Sequence, residues 1–283
     1  MLTEIVLSSS ERSGRLFSSH NIQRILEALH THGIIVLKDI IDPTHLDALN
    51  EFMLSEVDSL VKVAQLNFNT KNIQHAPPLL PLSLLYEDIY MNPFLLQAVQ
   101  LYLGAQPKFN FISGNTALAH GLTRQPVHSD ANFHHPQCPF CLVANIPLIE
   151  MDVSTGSTEL WPGTHIFTRN DQIEEGFEIK KYLMEGRECL QPTVKKGSVV
   201  LRDLRLWHAG MPNPSDRTRC MLALGYVSNW YRNDYRVPVP EAVETILTEG
   251  MEKLGIKAMV TSVSEEEYSK VKHGLDSTFE QSP

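Results

Sequence analysis

The sequence predicts an α+β fold in which helices pack outside a β-barrel core, and three observations carry that reading. Apolar residues at helical spacing dominate the first hundred positions. From Pro107 onward the texture changes to short apolar runs broken by Gly, Pro and Asn, as in a barrel or sandwich. A length of 283 residues suits one large core, since barrels of well over two hundred residues need not divide.

The elements follow in order. Residues 1–18 are Ser-rich and aperiodic and are expected to form a flexible N-terminus. Ile22, Ile25, Leu26 and Leu29 then repeat at helical spacing, and Gly33 supplies a stop. The β-branched run 34–37 predicts a buried strand. Asp42 followed by Pro43 starts a second helix, whose buried face continues through Leu46, Leu49, Met53 and Leu60. Residues 67–82, polar and then proline-rich, read as an exposed loop, and 84–103 as one more helix. Strands are expected at 108–118, 140–148, 157–161, 197–203 and 220–227. A charged, weakly helical insertion at 168–191 is expected to form the barrel entrance together with the 67–82 loop, and a helix at 241–254 begins a peripheral C-terminal segment. The domain organisation expected is a single barrel domain at 19–237 with its N-terminal helices, followed by the C-terminal segment at 238–283.

Composition removes several function classes. Hydrophobic residues at 42% and charged residues at 20% fit a globular chain that folds by itself. A net charge of -9 disfavours nucleic acid and anionic lipid, whose recognition needs clustered Lys and Arg. No stretch approaches the ~18 apolar residues of a membrane span, and the N-terminus lacks a secretory core. Four cysteines do not form a disulfide framework, so a reducing, cytoplasmic location is expected. Cys138-Pro139-Phe140-Cys141 has CxxC spacing but no second pair and no redox-fold setting, and is read as structural.

The chemistry is carried by His128-Ser129-Asp130. Side chains two apart on an extended segment point the same way, so His128 and Asp130 can reach one metal. His208, beyond the run 197–203, supplies a third ligand if that strand returns to the same mouth. Two imidazoles and one carboxylate on one face leave adjacent positions open, the arrangement of non-haem iron(II) oxygenases. Arg217 and Arg219 follow, and a guanidinium at the start of the next strand would hold a carboxylate with two parallel hydrogen bonds. His134 or His135 is read as a pocket residue, Asn115 as a pocket-facing polar group, His165 as closing its own turn and His120 as a structural histidine.

Together His128-Ser129-Asp130, the turn Pro162-Gly163-Thr164-His165 and His208-Ala209-Gly210-Met211-Pro212-Asn213-Pro214-Ser215 with its trailing arginines resemble the phytanoyl-CoA dioxygenase (phytanoyl-CoA hydroxylase-like) family, over about residues 20–230. The phrases 124–128 and 156–159 look most like fungal members that tailor natural products. The resemblance implies a double-stranded β-helix (jelly-roll, cupin-like) core, iron(II), and 2-oxoglutarate and dioxygen as cosubstrates. By family spacing Arg219 matches the cosubstrate arginine better than Arg217, and Gln125 and Thr158 match positions that help hold 2-oxoglutarate. The reaction implied is oxidation of a small organic natural-product intermediate, by hydroxylation, desaturation or rearrangement, with 2-oxoglutarate converted to succinate. Retention of Asp130 disfavours halogenation. The alternatives are an acyl-CoA hydroxylase and a non-catalytic metal- or 2-oxoglutarate-binding barrel. The partners expected are the small-molecule substrate and, as an open option, a second copy of the chain; nucleic acid and membrane are not expected.

Overall fold

The structure is a computed structural model, and it describes residues 2–62, 71–131, 137–167, 179–271, 279 and 282. His134 and His135 lie outside the described residues, as do 67–70 and the first part of the 168–191 insertion.

In chain order the elements begin with β1 (Glu4–Ile5), α1 (Ser9–Gly14), α2 (Ser19–His32), β2 (Ile34–Leu37), α3 (Pro43–Leu60) and β3 (Asn72–Gln74). Next come α4 (Glu87–Tyr90), α5 (Pro93–Leu103), β4 (Lys108–Ala117), β5 (Cys141–Pro147), β6 (Glu159–Leu160) and α6 (Lys181–Met184). The chain continues through β7 (Val199–Asp203), β8 (His208–Ala209), β9 (Arg219–Val227), β10 (Val237–Pro240), α7 (Glu241–Lys253), β11 (Lys257–Ala258), β12 (Val260–Val263) and α8 (Glu265–Val271).

Local sequence explains the helix boundaries. The Asp42 side chain accepts from the Thr44 N–H with Pro43 in the first turn, and Gly33 ends α2 at φ +72°. Two stretches differ from expectation. Residues 84–103 form two helices, because Asn92 caps a new one through the Phe94 and Leu95 N–H groups and Pro93 cannot continue the old one. The first 18 residues, expected to be aperiodic, hold β1, parallel to β2, and α1, started by a capping box between Ser8 and Glu11. Those serines are caps, which a periodicity reading does not detect.

The main sheet has eight strands in the order β1-β2-β7-β5-β9-β4-β11, with β3 also paired to β4. Alternation along its strands separates two faces. Leu142, Ala144 and Ile146 of β5 and Leu222, Leu224 and Tyr226 of β9 join a core with Ile25, Leu29, Leu49, Leu95, Val99 and Leu247 of the covering helices. The intervening residues face the other way, where Val200 and Met221 pack with Ile34, Val36, Leu160 and Leu206. A second, smaller layer closes that inner face: β6 pairs with β8, and His128 bridges His208. The expected helices outside a β core are therefore observed.

The 67–82 stretch is not an exposed loop over its described part. β3 pairs with β4, and Asn72, Ile73, His75 and Leu79 are buried, because the apolar Ile73 and Leu79 have a sheet edge to cover. The β1–β3 region and the C-terminal β11, which pairs with β4, are both stitched into the main sheet.

Candidate active site

Pairing between the two ligand segments brings the three residues together. The His128 N–H donates to the His208 carbonyl at 2.9 Å and the His208 N–H returns to the His128 carbonyl at 2.9 Å. Two residues so paired project their side chains to one side of the ladder. His128, Asp130 and His208 each offer a ligand atom, and these atoms lie within 4.8 Å of one another.

Main-chain carbonyls orient both rings. His128 Nδ1 lies 2.8 Å from the Pro126 carbonyl and His208 Nδ1 3.0 Å from that of Leu206. A carbonyl only accepts, so each Nδ1 carries a proton, and in the neutral tautomer this fixes, Nε2 is the nitrogen whose lone pair can meet a metal. The two Nε2 atoms face the Asp130 carboxylate, at 3.6 Å for His128 and 3.4 Å for His208. Neutral imidazole nitrogens and a carboxylate, with tautomers fixed by a second layer of hydrogen bonds, fit a divalent transition metal.

The turn that precedes His208 is held from two sides. The buried Asp203 carboxylate accepts from the Arg205 guanidinium and from Tyr102 of α5, at 2.7–2.9 Å. From the other side the Thr164 hydroxyl accepts from the Trp207 N–H at 3.0 Å and donates to the Trp161 carbonyl at 2.7 Å. The Pro162-Gly163-Thr164-His165 turn thus anchors the strand that carries His208. His165 does not close that turn as expected: its Nε2 lies 3.2 Å from the His30 carbonyl, docking the turn on α2.

Electrostatics favour an ionised Asp130 carboxylate beside a neutral His208 ring. Burial would raise the Asp130 carboxyl, but His208, Arg202 and His128 overcome it and hold it well below the usual carboxylate range. Burial first, then the Arg202 charge, lower His208 from 6.5 to about 3. A histidine with a folded value below its unfolded one binds its proton more readily when unfolded, so acid costs stability through this group. The metal-free protein is expected to lose unfolding free energy as pH falls from about 6.5 towards 3. A His208→Gln variant should flatten that profile in urea titrations; an unchanged slope would contradict it.

Two side chains at this site have no counterpart among the residues that the sequence singles out. Arg202 of β7 donates Nη2 to Asp130 Oδ2 at 2.8 Å and Nε to Asn145 Oδ1 of β5 at 3.2 Å. The signal in the sequence is a charge inside an otherwise apolar run, Val199-Val200-Leu201-Arg202.

Arg219 starts β9 opposite Ala117 and is buried. Its guanidinium donates to the Asn115 carbonyl and the Gly156 carbonyl, both at 3.0 Å, while Nε has no partner and no carboxylate pairs with it among the described residues. Burial lowers it only to about 10, so it remains a cation. Arg217 is exposed at the preceding turn, where Asn213 Nδ2 donates to its carbonyl at 2.7 Å. Gln125 is half-buried, and its Oε1 accepts from the Gly210 N–H at 2.8 Å. A Cβ at Gly210 would overlap the Gln125 amide, so a side chain there would displace Gln125 from this bond. Thr158 is half-buried, two residues beyond the Gly156 carbonyl that meets Arg219. Asn115 places Oδ1 3.5 Å from Arg219, whereas His120 is exposed and faces Asp216 at 3.7 Å. Cys138 and Cys141 are free thiols, the second inside an apolar cluster where burial pushes it well up.

The described part of the 168–191 insertion packs behind the segments that carry His128 and His208. Ile179 donates to the Val127 carbonyl at 2.9 Å and packs with Val127, Trp207 and Ala209, which alternate with the ligands and point away from them. This segment backs the ligand strands because its apolar Ile179, Leu183 and Met184 cover Trp161 and Trp207.

Residues 29–221 match the family model described as phytanoyl-CoA dioxygenase (PhyH). The chain belongs to the phytanoyl-CoA dioxygenase family. Membership makes it an iron(II)- and 2-oxoglutarate-dependent oxygenase, as the resemblance implied. Among solved structures it is similar to the non-heme alpha ketoglutarate dependent epimerase SnoN from nogalamycin biosynthesis, at 16% identity and a TM-score of 0.56, covering 75% of this chain and 84% of that one. The alpha ketoglutarate dependent carbocyclase SnoK of the same biosynthesis is similar at 17% identity and a TM-score of 0.57, over 75% of this chain and 84% of that one. AviO1 from Streptomyces viridochromogenes Tue57 aligns at 15% identity and a TM-score of 0.55, over 76% of this chain and 98% of that one. These likenesses give the fold, the cupin-like jelly roll of the phytanoyl-CoA dioxygenase family. Among the described residues no helix is long and apolar enough to cross a membrane.

Proposed function

We propose that His128, Asp130 and His208 hold the iron(II) of this oxygenase, that Arg219 binds the distal carboxylate of 2-oxoglutarate, and that the substrate is a small natural-product intermediate. The observation that carries the metal assignment is the orientation of the two imidazoles: both Nδ1 atoms are committed to carbonyls and both Nε2 atoms converge on one carboxylate. Iron bound there would supply dioxygen activation coupled to decarboxylation of 2-oxoglutarate to succinate. The protein's own part is to orient three ligands on one face, leaving the opposite positions to cosubstrate and oxygen.

Arg219 is preferred to Arg217 because a buried guanidinium with no acidic partner among the described residues is stabilised by an incoming carboxylate, whereas an exposed one gains little. Gln125 and Thr158 border the same region and are assigned to cosubstrate support, Gln125 by fixing the strand that leaves His208. The substrate class is supported by similar structures, which include SnoN in complex with Fe3+, alpha ketoglutarate and nogalamycin RO at 14% identity and a TM-score of 0.57. Asp130 occupies the place a halide would need, which favours oxygenation or a related oxidation. The working unit is assigned to 19–237 together with β1 before it and β11 after it, which both join the main sheet, and four free thiols favour a cytoplasmic setting.

Mixing the purified protein anaerobically with iron(II) and 2-oxoglutarate tests the reading. A weak visible charge-transfer band of the chelated complex is expected, and it should be missing when either component is omitted. No band with both present would overturn the cosubstrate assignment.

A further inference from the structure

Phe279, near the C-terminus, meets the inner face of the sheet. Its ring lies against Phe111 of β4, with centroids 4.9 Å apart and planes 36° from parallel. It also packs on the apolar cluster that contains Ala131, Val143 and Tyr231, where Ala223 joins it. Three hydrogen bonds hold the surrounding chain: Tyr231 Oη donates to the Phe279 carbonyl at 2.5 Å, the Ser282 N–H to the Arg232 carbonyl at 2.8 Å, and the Asp234 N–H to Ser282 Oγ at 2.9 Å.

The strand register says what lies beside this ring. Phe111 pairs with Gly225, Gly225 with Val143, and Val143 with Arg202, so the four form one row across neighbouring strands. Arg202 ends that row on the carboxylate of Asp130, and Ala131 of the Phe279 cluster is the next residue in the chain. Gly225 keeps the row open for Phe111: a Cβ at 225 would stand 2.6 Å from the Phe111 Cβ. Along β9, Arg219 and Gly225 are six residues apart on one face, about 20 Å at the usual strand rise. The carboxylate-binding end and the Phe111–Phe279 end therefore lie at opposite ends of the inner face, with the Asp130 row at the second.

We propose that Phe279 is a specificity-determining residue that, with Phe111, walls the substrate end of the barrel and presents two ring faces to a flat, largely apolar substrate. This rests on the iron assignment to His128, Asp130 and His208. The aromatic faces, Val143 and Ala223 supply apolar contact, while Arg202 and Asn145, at the Asp130 end of the row, add hydrogen-bonding capacity. The entrance, expected from the sequence at 67–82 and 168–191, is thereby assigned to the side of the inner face that Phe279 covers.

The test uses the full-length protein labelled with 4-fluorophenylalanine, with manganese(II) as the paramagnetic probe. Phe111→Leu and Phe279→Leu assign the two resonances. Manganese(II) is expected to broaden both, while Phe17, packed on Phe94 among the helices, stays sharp. Broadening of Phe111 without Phe279 overturns the proposal. Broadening of neither means that the metal is not at His128, Asp130 and His208, which is failure of the functional reading instead. Substrate range gives the second readout: fused-ring alcohols of increasing size are offered and succinate is measured. Phe279→Ala is expected to shift stimulation towards larger rings, with the half-saturating 2-oxoglutarate concentration unchanged. Identical profiles for the two proteins, including no stimulation in either, overturn the proposal.

Discussion

Replacing Arg219 with Met is expected to weaken 2-oxoglutarate binding by about 2–5 kcal/mol, which is about 30- to several-thousand-fold, the range for truncating one partner of a buried, hydrogen-bonded charge pair. The side chain is buried, donates to two carbonyls, leaves Nε without a partner and meets no carboxylate among the described residues. A bound carboxylate pairs with it, and the variant cannot recover that pair. The measurement is the rise in thermal midpoint on adding 2-oxoglutarate to the manganese-loaded protein, since a ligand that binds only the folded state stabilises it by mass action. Wild type should show the rise and Arg219→Met should not. Arg219→Lys should recover a fraction, because an ammonium retains the charge but not the planar fork. Arg217→Met should behave as wild type, being exposed at its turn. Equal loss in both single variants would remove the distinction between them.

Substituting a metal ligand has the second large effect. Asp130→Ala or His208→Ala is expected to abolish substrate-dependent succinate formation and to weaken metal binding by more than about 100-fold, since changes in the surrounding layer alone cost about 10–100-fold. His208 is buried, 7% exposed, and is one of only two imidazoles in the group, so its loss removes a nitrogen ligand. Asp130 is the only carboxylate in the group, and its removal leaves the Arg202 guanidinium facing two rings. Isothermal titration with manganese(II) and a succinate assay read the two effects separately. Full turnover in either variant would show that the ligands lie elsewhere.

Local signals in the chain account for much of the fold. The helix starting at Asp42-Pro43 and the strands around β4, β5, β7 and β9 follow from capping and alternation, which depend on residues within one or two turns. The split between α4 and α5 is also legible, in Asn92-Pro93, but a purely apolar reading of 84–103 passes over a cap. The buried setting of 71–79 is not legible, because proline-rich texture says nothing about which sheet edge lies nearby. His165 is similar: its bond to the His30 carbonyl joins residues 135 positions apart.

The site divides along the same line. By itself the sequence determined the family and singled out the candidate ligands, because HxD spacing puts His128 and Asp130 on one face of an extended segment, and the order of the His128, Pro162 and His208 motifs is specific. Only the tertiary structure decided what each side chain meets. It placed Arg219 in the interior and Arg217 outside, although both have the same strand parity, since β9 begins only at Arg219. It set Arg202 and Asn145 behind Asp130, turned the 179–191 segment to the back of the ligand strands, and brought Phe279 onto Phe111. Those arrangements are fixed by cross-strand register and by which apolar face covers which, and both are properties of residues distant in the chain.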